Sequence, residues 1–274
     1  MSQPERVTGT FNYTRADGPM PEVYFYDPPA GTPIRDPGDD PHAMSVRNGW
    51  EKAAKYDLDE NGFSLEEFIP SHAAWEDENA MRANFYPEVV DLVKRSTGAR
   101  HVVVFDHTIR AMRNEKQQTA ETSTTQRAPV MLVHCDYPEN SGPTRVRQLM
   151  GAEADTLLRG RVAFYNVWKP LHRKVEERPL AMCDVASASR DDFVTMALRY
   201  RERNGEIYVM RHAPRHDWVY FPEMTPDQVI FLKTYDSEVD GRARFVGHSA
   251  FIDPTTRPDA PFRESVEIRT IAFF

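Results

Sequence analysis

Cysteine is scarce in this chain of 274 residues, which contains only Cys135 and Cys183. Two cysteines do not make a disulfide framework, so the sequence predicts a protein of a reducing compartment. The opening residues 1–6 lack the apolar stretch of a signal peptide, and we therefore expect a cytoplasmic protein. Runs of about 18 apolar residues are also missing, which predicts that no helix spans a membrane.

Excess positive charge is missing as well. The chain has 34 Lys and Arg residues against 42 Asp and Glu residues, a net charge of −8 with neutral histidines. Nucleic acids and anionic membranes require a basic face on the protein, so we expect neither as the main partner. A local basic pocket for a small anion remains compatible with this balance.

The composition is that of a globular protein, with 40% hydrophobic residues and 21 prolines spread over many loops and strand ends. We expect a single domain over residues 1–274, because β-rich domains of this size are common. Residues 1–45 are rich in Pro, Gly and Asp and predict a strand followed by an extended N-terminal arm. Residues 111–128 are polar without periodicity and predict a lid loop.

Short apolar runs separated by turn residues predict a mainly β structure with some helices. The predicted strands cover residues 100–107, 130–136, 161–168, 206–210, 218–221 and 229–233, and a closing strand follows Arg263. Predicted helices cover residues 79–96, with Pro87 beginning a second helix, a short segment from Ser141, and a segment from Ser189 through Leu198.

The segment from Asp57 to Gly62 matches the first six positions of a calcium-binding EF-hand loop. The twelfth position of such a loop is a bidentate Glu, and here it is Phe68. An Asn61-Gly62 hairpin turn between residues 55–58 and 63–65 is the favoured interpretation.

An apolar run over residues 130–133 ends in His134 and, two residues further on, Asp136. On a strand these two side chains point to the same side, because side chains alternate with a period of two. With a distant second histidine they complete a 2-His-1-carboxylate face, which leaves open positions on the metal and suits Fe(II) and oxygen chemistry. The motif alone is a weak signal, which a strand with a polar tip also explains.

The downstream candidates for the third ligand are His172, His212, His216 and His248. Only His248 is followed by a Pro-rich turn and then by a closing strand that carries arginines. An Fe(II) site that activates oxygen commonly draws electrons from a 2-oxo acid, whose far carboxylate is best bound by a guanidinium through two parallel hydrogen bonds. Either Arg263 or Arg269 is placed to supply that guanidinium.

The order His134-x-Asp136, a distal His248 and then Arg263-Glu264-Ser265 resembles the Fe(II)/2-oxoglutarate-dependent dioxygenase superfamily. Further segments are similar to a hydroxylase/desaturase family of fungal and bacterial secondary metabolism, which is related to the hydroxylase component of cephamycin methoxylation. These segments are 166–171, 179–184, 216–222 and 233–237. The resemblance runs from Tyr24 to the C-terminus. It departs from the family at Lys169, where Arg is expected, and in a longer spacing from His248 to Arg263.

The resemblance implies a cupin-like double-stranded β-helix, or jelly roll, under an N-terminal helical covering layer. It implies Fe(II) bound by the two histidines and Asp136, with 2-oxoglutarate held by Arg263 and Ser265. Asn166 is a candidate for contact with the 2-oxo acid or the substrate, although a polar residue at a strand end needs no function. The implied reaction of O2 removes a substrate hydrogen, and hydroxylation or desaturation follows.

The candidate substrate-binding residues are Trp168, His216, Trp218 and Tyr220, whose aromatic surroundings favour a flat or apolar small molecule. The alternative is a non-catalytic jelly-roll module, the binding or scaffold component of a two-protein biosynthetic system. The cephamycin relative acts with a methyltransferase, so the resemblance allows a partner biosynthetic enzyme as well as a homodimer. The intact set of ligand residues favours the enzyme.

The closing strand places positions 263, 265, 267 and 269 on one face. Arg263, Ser265 and Arg269 are therefore expected to point into the barrel. Buried charge must be paired, and Glu267 on the same face is expected to pair with Arg269. This pairing leaves Arg263 for a ligand carboxylate. The opposite face carries Val266, Ile268 and Thr270 toward the packed layer.

Overall fold

The computed structural model describes residues 4–18, 20–36, 38–72, 74–111 and 126–274, without the side chains of residues 126 and 127. Its strands are β1 (Arg6–Thr14), β2 (Glu22–Tyr24), β3 (Arg35–Asp36), β4 (Asp39–Asn48), β5 (Phe63–Glu67), β6 (His101–Ala111), β7 (Gln126–Arg127), β8 (His134–Cys135), β9 (Val162–Pro170), β10 (Leu180–Cys183), β11 (Phe193–Arg199), β12 (Asn204–Met210), β13 (Trp218–Tyr220), β14 (Gln228–Asp236), β15 (His248–Ala250) and β16 (Glu264–Phe273).

The helices are α1 (Glu78–Ala80), α2 (Tyr86–Thr97), α3 (Ser141–Met150) and α4 (Ala154–Leu157). A π-helical turn over Met81–Phe85 joins α1 to α2, and short 3-10 turns occupy Trp50–Lys55, Gly151–Glu153, Val185–Ser187 and Arg190–Asp192. Within the described ranges, no helix is both long and apolar enough to cross a membrane.

The strands form two sheets. The first has the order β1-β4-β13-β10-β15-β8-β12-β11-β2-β3, and the second has the order β5-β14-β9-β16-β6-β7. Most neighbouring strands are antiparallel, and the parallel pairs include β13 with β4 and β11 with β2. This is the mainly β, two-sheet architecture that the sequence predicts, and it is the architecture of a jelly roll.

One apolar core joins the two sheets. Phe164 and Ile271 of the second sheet belong to the same buried cluster as Cys135, Tyr208 and Trp218 of the first. Burying a large apolar side chain contributes about 1.5–3 kcal/mol, so this shared core fixes the position of one sheet against the other. Residues that extend from the two sheets into the space between them are therefore held at set distances.

The α2 helix covers the outer face of the second sheet. Proline occupies its first turn, as predicted, and Gly98 ends it with φ of 74°, a left-handed conformation that favours glycine. Leu92 and Val93 are buried in one cluster with Val266 and Ile268 of β16. The predicted helical covering layer and the outward direction of Val266 and Ile268 are confirmed.

The N-terminal region is more regular than predicted. Instead of one strand and an extended arm, residues 6–14 and 39–48 form a long antiparallel pair in register from Arg6 with Arg47 to Thr14 with Asp39. The buried side of β1 includes Phe11 and Tyr13. Gly9 interrupts the series of large apolar side chains on that side, so the pattern of the sequence did not show a full strand. Gly9 is required because a Cβ atom would collide with the Phe251 ring.

The helix predicted from Ser189 through Leu198 is wrong. Ser189 caps only the short 3-10 turn over Arg190–Asp192, where its hydroxyl accepts from Asp191 N. Residues 193–199 then form β11, fully paired with β12. Pairing with a neighbouring strand overrides weak local propensity, which is why the helical interpretation fails.

The Asn61-Gly62 turn exists, but it does not close a hairpin. Gly62 has φ of 82°, and Asn61 Oδ1 accepts from Asp57 N at 3.0 Å. The strand that follows, β5, pairs with β14 and not with residues 55–58. A lid is predicted over residues 111–128. Of these, residues 112–125 lie outside the described residues.

Candidate active site

His134 and His248 lie side by side on neighbouring strands. His134 in β8 is paired directly with His248 in β15, and their ring centroids are 4.4 Å apart. Both side chains are buried, with exposed fractions of 7% and 2%. The fold therefore brings the histidine of the His-x-Asp motif and the predicted distal histidine to one point.

The same ring nitrogen is occupied in both histidines. His134 Nδ1 lies 2.8 Å from Leu132 O, and His248 Nδ1 lies 3.1 Å from Val246 O. A carbonyl oxygen only accepts, so Nδ1 carries the hydrogen in each ring and Nε2 keeps a free lone pair. His248 Nε2 is buried without a partner among the described residues. An unsatisfied buried acceptor costs about 1–3 kcal/mol, which makes this atom a candidate ligand atom.

Asp136 presents its two oxygens differently. Oδ1 lies 3.9 Å from His134 Nε2, a separation that two ligands of one metal ion can have. Oδ2 accepts from Asn166 Nδ2 at 2.6 Å and from Arg269 Nε at 3.4 Å. Burial alone raises the pKa of Asp136, but Arg269 and the two histidines outweigh burial and lower that pKa well below its usual range. The group is therefore a carboxylate throughout the physiological range.

The two histidines and Asp136 have the donor chemistry of a divalent iron site. Burial, and next the neighbouring His248, lower the pKa of His134 to about 4, so this imidazole is neutral, as a metal ligand must be. Two imidazole nitrogens and one carboxylate oxygen suit Fe(II). In the described part of the chain no group of three His, Cys, Asp or Glu side chains already has the geometry of a metal site. The assignment therefore stands on the pairwise contacts and on the unpaired Nε2 of His248.

Arg263 is a buried guanidinium with unused donor capacity. Its Nη1 donates to Arg178 O at 2.5 Å, while Nε is buried without a partner among the described residues. Its guanidinium lies 5.5 Å from the centroid of the Trp168 ring. Burial, and next the charge of Arg110, lower the pKa of Arg263 to about 9. Ser265 Oγ is likewise buried without a partner in the described ranges. Both groups can bind an incoming carboxylate.

Arg269, in contrast, is saturated with partners. Its Nη2 donates to Glu267 Oε1 at 2.6 Å, and its Nη1 donates to Asp106 Oδ2 at 3.1 Å and to Thr108 Oγ1 at 3.0 Å. The predicted pairing of Arg269 with Glu267 is confirmed. The contacts with Asp136 and Asp106 were missed, because strand periodicity gives the inward face of Arg269 but not the residues across from it.

Trp218 and Tyr220 lie on the face of the first sheet opposite to His248. Across the sheet His248 is in register with Met182, and Met182 with Val219, so these three side chains share one face. Trp218 and Tyr220 flank Val219 along β13 and point to the other face. Both are fully buried in the apolar core. Their position gives no support to the predicted contact with substrate, which stays a prediction.

His216 belongs to a buried hydrogen-bonded chain. Its Nδ1 lies 3.1 Å from the Tyr13 hydroxyl, and its Nε2 lies 3.2 Å from Asp192 Oδ2. The same hydroxyl accepts from Trp218 Nε1 at 2.8 Å. Both ring nitrogens of His216 are therefore engaged, and the chain explains its burial without a substrate. Trp168 is a predicted substrate residue that contacts the candidate cosubstrate site, with its ring centroid 5.5 Å from the Arg263 guanidinium.

Two cavities lie away from the three predicted ligands. One of about 480 Å³ is lined by β4 and the turn 212–217, and it includes His42 and His212. A second of about 290 Å³ lies between residues 56–66 and the end of α2. Neither is lined by the predicted metal ligands. The candidate active site is therefore defined by its donor atoms and not by either of these cavities.

Comparison with known proteins places the chain in a family. A family model described as "Oxidoreductase/YMDC permease-like domain" matches residues 11–273. The chain is 33% identical over 238 residues to the hydroxylase/desaturase efuI of Hormonema carpetanum, covering 80% of this chain and 79% of that protein. It is 31% identical over 240 residues to the Fe(II)/2-oxoglutarate-dependent dioxygenase nvfI of Aspergillus novofumigatus, covering 85% of this chain and 84% of that protein.

Solved structures agree with these relatives. The structure of the iron and alpha-ketoglutarate-dependent endoperoxidase NvfI superposes with a TM-score of 0.89 at 27% identity, covering 99% of this chain and 99% of that one. The predicted jelly-roll fold is thereby confirmed.

The fold and these relatives identify a non-haem iron oxygenase. The chain belongs to the Fe(II)/2-oxoglutarate-dependent dioxygenase family, among its hydroxylase/desaturase members. The predicted enzyme class and its dependence on Fe(II) and 2-oxoglutarate are confirmed by this membership. Nothing in the comparisons favours the non-catalytic alternative.

Proposed function

We propose that this chain binds Fe(II) through Nε2 of His134 and His248 and Oδ1 of Asp136, and that it hydroxylates or desaturates a small molecule of secondary metabolism. The observation that carries the proposal is the buried Nε2 of His248, which has no partner among the described residues and lies beside His134. Relatives described as hydroxylase/desaturase support the reaction type.

Arg263 is the proposed anchor for the far carboxylate of 2-oxoglutarate. Burial and Arg110 lower the pKa of this guanidinium more than Glu177 and Glu267 raise it, so a dicarboxylate would add stabilising negative charge, and the unused Nε offers one of the donors. Ser265 Oγ, also buried without a described partner, is the proposed second donor. Trp168 supports the Arg263 guanidinium from below through its ring face. Arg269 is a poorer anchor because carboxylates already occupy it.

The remaining residues prepare the ligands. Backbone carbonyls hold both imidazoles with Nε2 free, and burial keeps His134 neutral, so no proton has to leave before the metal enters. Fe(II) with 2-oxoglutarate supplies the activation of O2 that removes a hydrogen from the substrate. The chain's own contribution is to orient the three ligands and to keep water from them by burial.

We further propose that residues 1–274 act as one catalytic domain in the cytoplasm. Asp136 and His248 come from the first sheet and its loops, whereas Asn166 and Arg269 come from the second, so the site needs both sheets. Cys135 and Cys183 are buried and unpaired, which is compatible with a reducing compartment.

The test uses 2-oxoglutarate turnover, because the substrate need not be known. Purified protein is loaded anaerobically with Fe(II), exposed to air with 2-oxoglutarate, and assayed for succinate. Slow succinate formation that requires Fe(II) and disappears in His248→Ala supports the proposal. Equal succinate formation in wild type and His248→Ala contradicts it.

A further inference from the structure

Two hydrogen-bond donors converge on a single oxygen of Asp136. Asn166 Nδ2 at 2.6 Å and Arg269 Nε at 3.4 Å both reach Oδ2, whereas Oδ1 is the oxygen that lies 3.9 Å from His134 Nε2. We propose that Asn166 and Arg269 are positioning residues that hold Asp136 as a one-oxygen ligand and keep Oδ2 off the metal. This inference rests on the proposed metal site.

The number of oxygens that Asp136 supplies decides how many positions stay open. A carboxylate can bind a metal through one oxygen or through both. With two histidines and one carboxylate oxygen, a six-coordinate ion keeps about three positions for other ligands. A chelating 2-oxo acid would need two of them, and one would be left for O2. A second oxygen from Asp136 would occupy a position that the proposed reaction needs.

Asn166 and Arg269 are held in place by the second sheet. Asn166 in β9 is in direct register with Arg269 in β16, so both side chains point to one face from neighbouring strands. Arg269 is fixed further by Glu267 and Asp106, each bonded to a different guanidinium nitrogen. These contacts leave Nε for Asp136. The guanidinium therefore cannot present a different nitrogen to Asp136 without losing its hydrogen bond to Glu267 or to Asp106.

The amide of Asn166 has one favourable orientation. Its Nδ2 donates to Asp136, and its Oδ1 is buried without a partner among the described residues. A flip of the amide would set Oδ1 against a carboxylate oxygen, which repels it. The contact with Asp136 therefore determines the orientation, and the Asn166 side chain is only 1% exposed.

The experiment counts water molecules on a bound metal. Mn(II) replaces Fe(II), and water-proton relaxation reports the exchangeable waters in the absence of 2-oxoglutarate. Asn166→Ala is the main variant, because it removes a donor without leaving an unpaired charge. Arg269→Lys is the second, because it keeps the charge but loses the Nε donor. Asn61→Ala is the matched control. Asn61 Nδ2 also donates to a carboxylate that is distant in sequence, that of Asp184, at 3.1 Å.

We expect the relaxation enhancement per bound Mn(II) to fall by about a third in Asn166→Ala and in Arg269→Lys, as about three waters become two. Asn61→Ala should match the wild type. Unchanged enhancement in both variants, with Mn(II) bound, overturns the inference while leaving the metal site intact. Loss of all Mn(II) binding in Asn166→Ala also overturns it, since the residue would then build the site. If the wild type itself binds no Mn(II), the proposed metal site fails.

Discussion

The rings of His134 and His248 lie 4.4 Å apart because the two residues are directly paired across β8 and β15. Residues in register on neighbouring strands have Cβ atoms about 4.5–5.5 Å apart, a distance that one metal ion can bridge. Asp136 follows His134 by two residues and reaches the same region, where its Oδ1 lies 3.9 Å from His134 Nε2. One cross-strand pair therefore explains why ligands distant in sequence meet.

Replacement of any predicted ligand should remove the metal. We expect His134→Ala, Asp136→Ala and His248→Ala each to weaken Co(II) binding by more than about 100-fold. Removal of a residue that only hydrogen-bonds to a metal ligand typically weakens metal binding by about 10–100-fold. His216→Ala should retain binding, because both nitrogens of His216 are engaged with Tyr13 and Asp192. Calorimetric titration of apo-protein measures this. Normal Co(II) affinity in His248→Ala would exclude His248 as a ligand.

Replacement of Arg263 should affect 2-oxoglutarate and not the metal. Loss of a charge-assisted pair costs about 1.4–4 kcal/mol, so Arg263→Ala should raise the 2-oxoglutarate requirement by about ten- to several-hundred-fold. Arg263→Lys is the matched variant, which keeps the charge but loses the paired donors of the guanidinium. Its 2-oxoglutarate requirement should lie between those of the wild type and Arg263→Ala. Titration of succinate formation with 2-oxoglutarate gives the values. An unchanged requirement in Arg263→Ala, together with its loss in Arg269→Ala, would make Arg269 the anchor.

Trp218 should matter for stability and not for turnover. Its ring stacks on Phe11 at 4.1 Å between centroids, and its Nε1 donates to Tyr13. Trp218→Phe retains a ring but loses this hydrogen bond and some volume, so we expect a loss of about 1–3 kcal/mol in the free energy of unfolding. Urea unfolding measures the loss, with succinate formation as the second readout. A specific loss of turnover at unchanged stability would support the predicted role in the active site.

His216 should make stability dependent on pH. Burial lowers the pKa of His216 in the folded protein, an effect that Asp192 only partly offsets. The unfolded chain therefore takes up this proton first as the pH falls. The stability that neutral His216 contributes is present above its ordinary pKa of about 6.5 and is lost as the pH falls through the lower folded value.

The corresponding measurement is urea unfolding between about pH 7 and about pH 5. We expect the free energy of unfolding to fall less steeply with decreasing pH in His216→Gln than in the wild type. Tyr13, Asp192 and Arg215 face this histidine, and all three are retained in the variant. Parallel slopes in the two proteins would show that His216 does not titrate between the folded and unfolded states.

The part of the site that lies on strands was predictable from the sequence. Side chains alternate between the two faces of a strand, and this alternation can be read from the local sequence. It gives the common side of His134 and Asp136, and it gives the inward face of Arg269 and its pairing with Glu267. The contact between Arg269 and Asp136 was not predictable in this way. It depends on which strands the fold sets opposite one another, here β16 and the end of β8.

The failed helix prediction has a similar origin. Residues 193–199 were expected to be helical, yet they are a strand because β12 pairs with them along their whole length. Trp218 and Tyr220 are predicted to contact the substrate because they are aromatic and close in sequence to histidines, and cross-strand register sets them on the face opposite to His248. Alternation identifies two faces of a strand, and only the assembled sheet shows which of them points to the site.

His134, Asp136 and His248 are proposed to hold Fe(II) beside the Arg263 anchor for 2-oxoglutarate. Visible absorption after anaerobic addition of Fe(II) and 2-oxoglutarate to the apo-protein tests this arrangement. We expect a weak charge-transfer band that needs both additions, that is lost in His248→Ala, and that requires more 2-oxoglutarate in Arg263→Ala. A band of full intensity in His248→Ala, or no band in the wild type, would show that the proposed site is wrong.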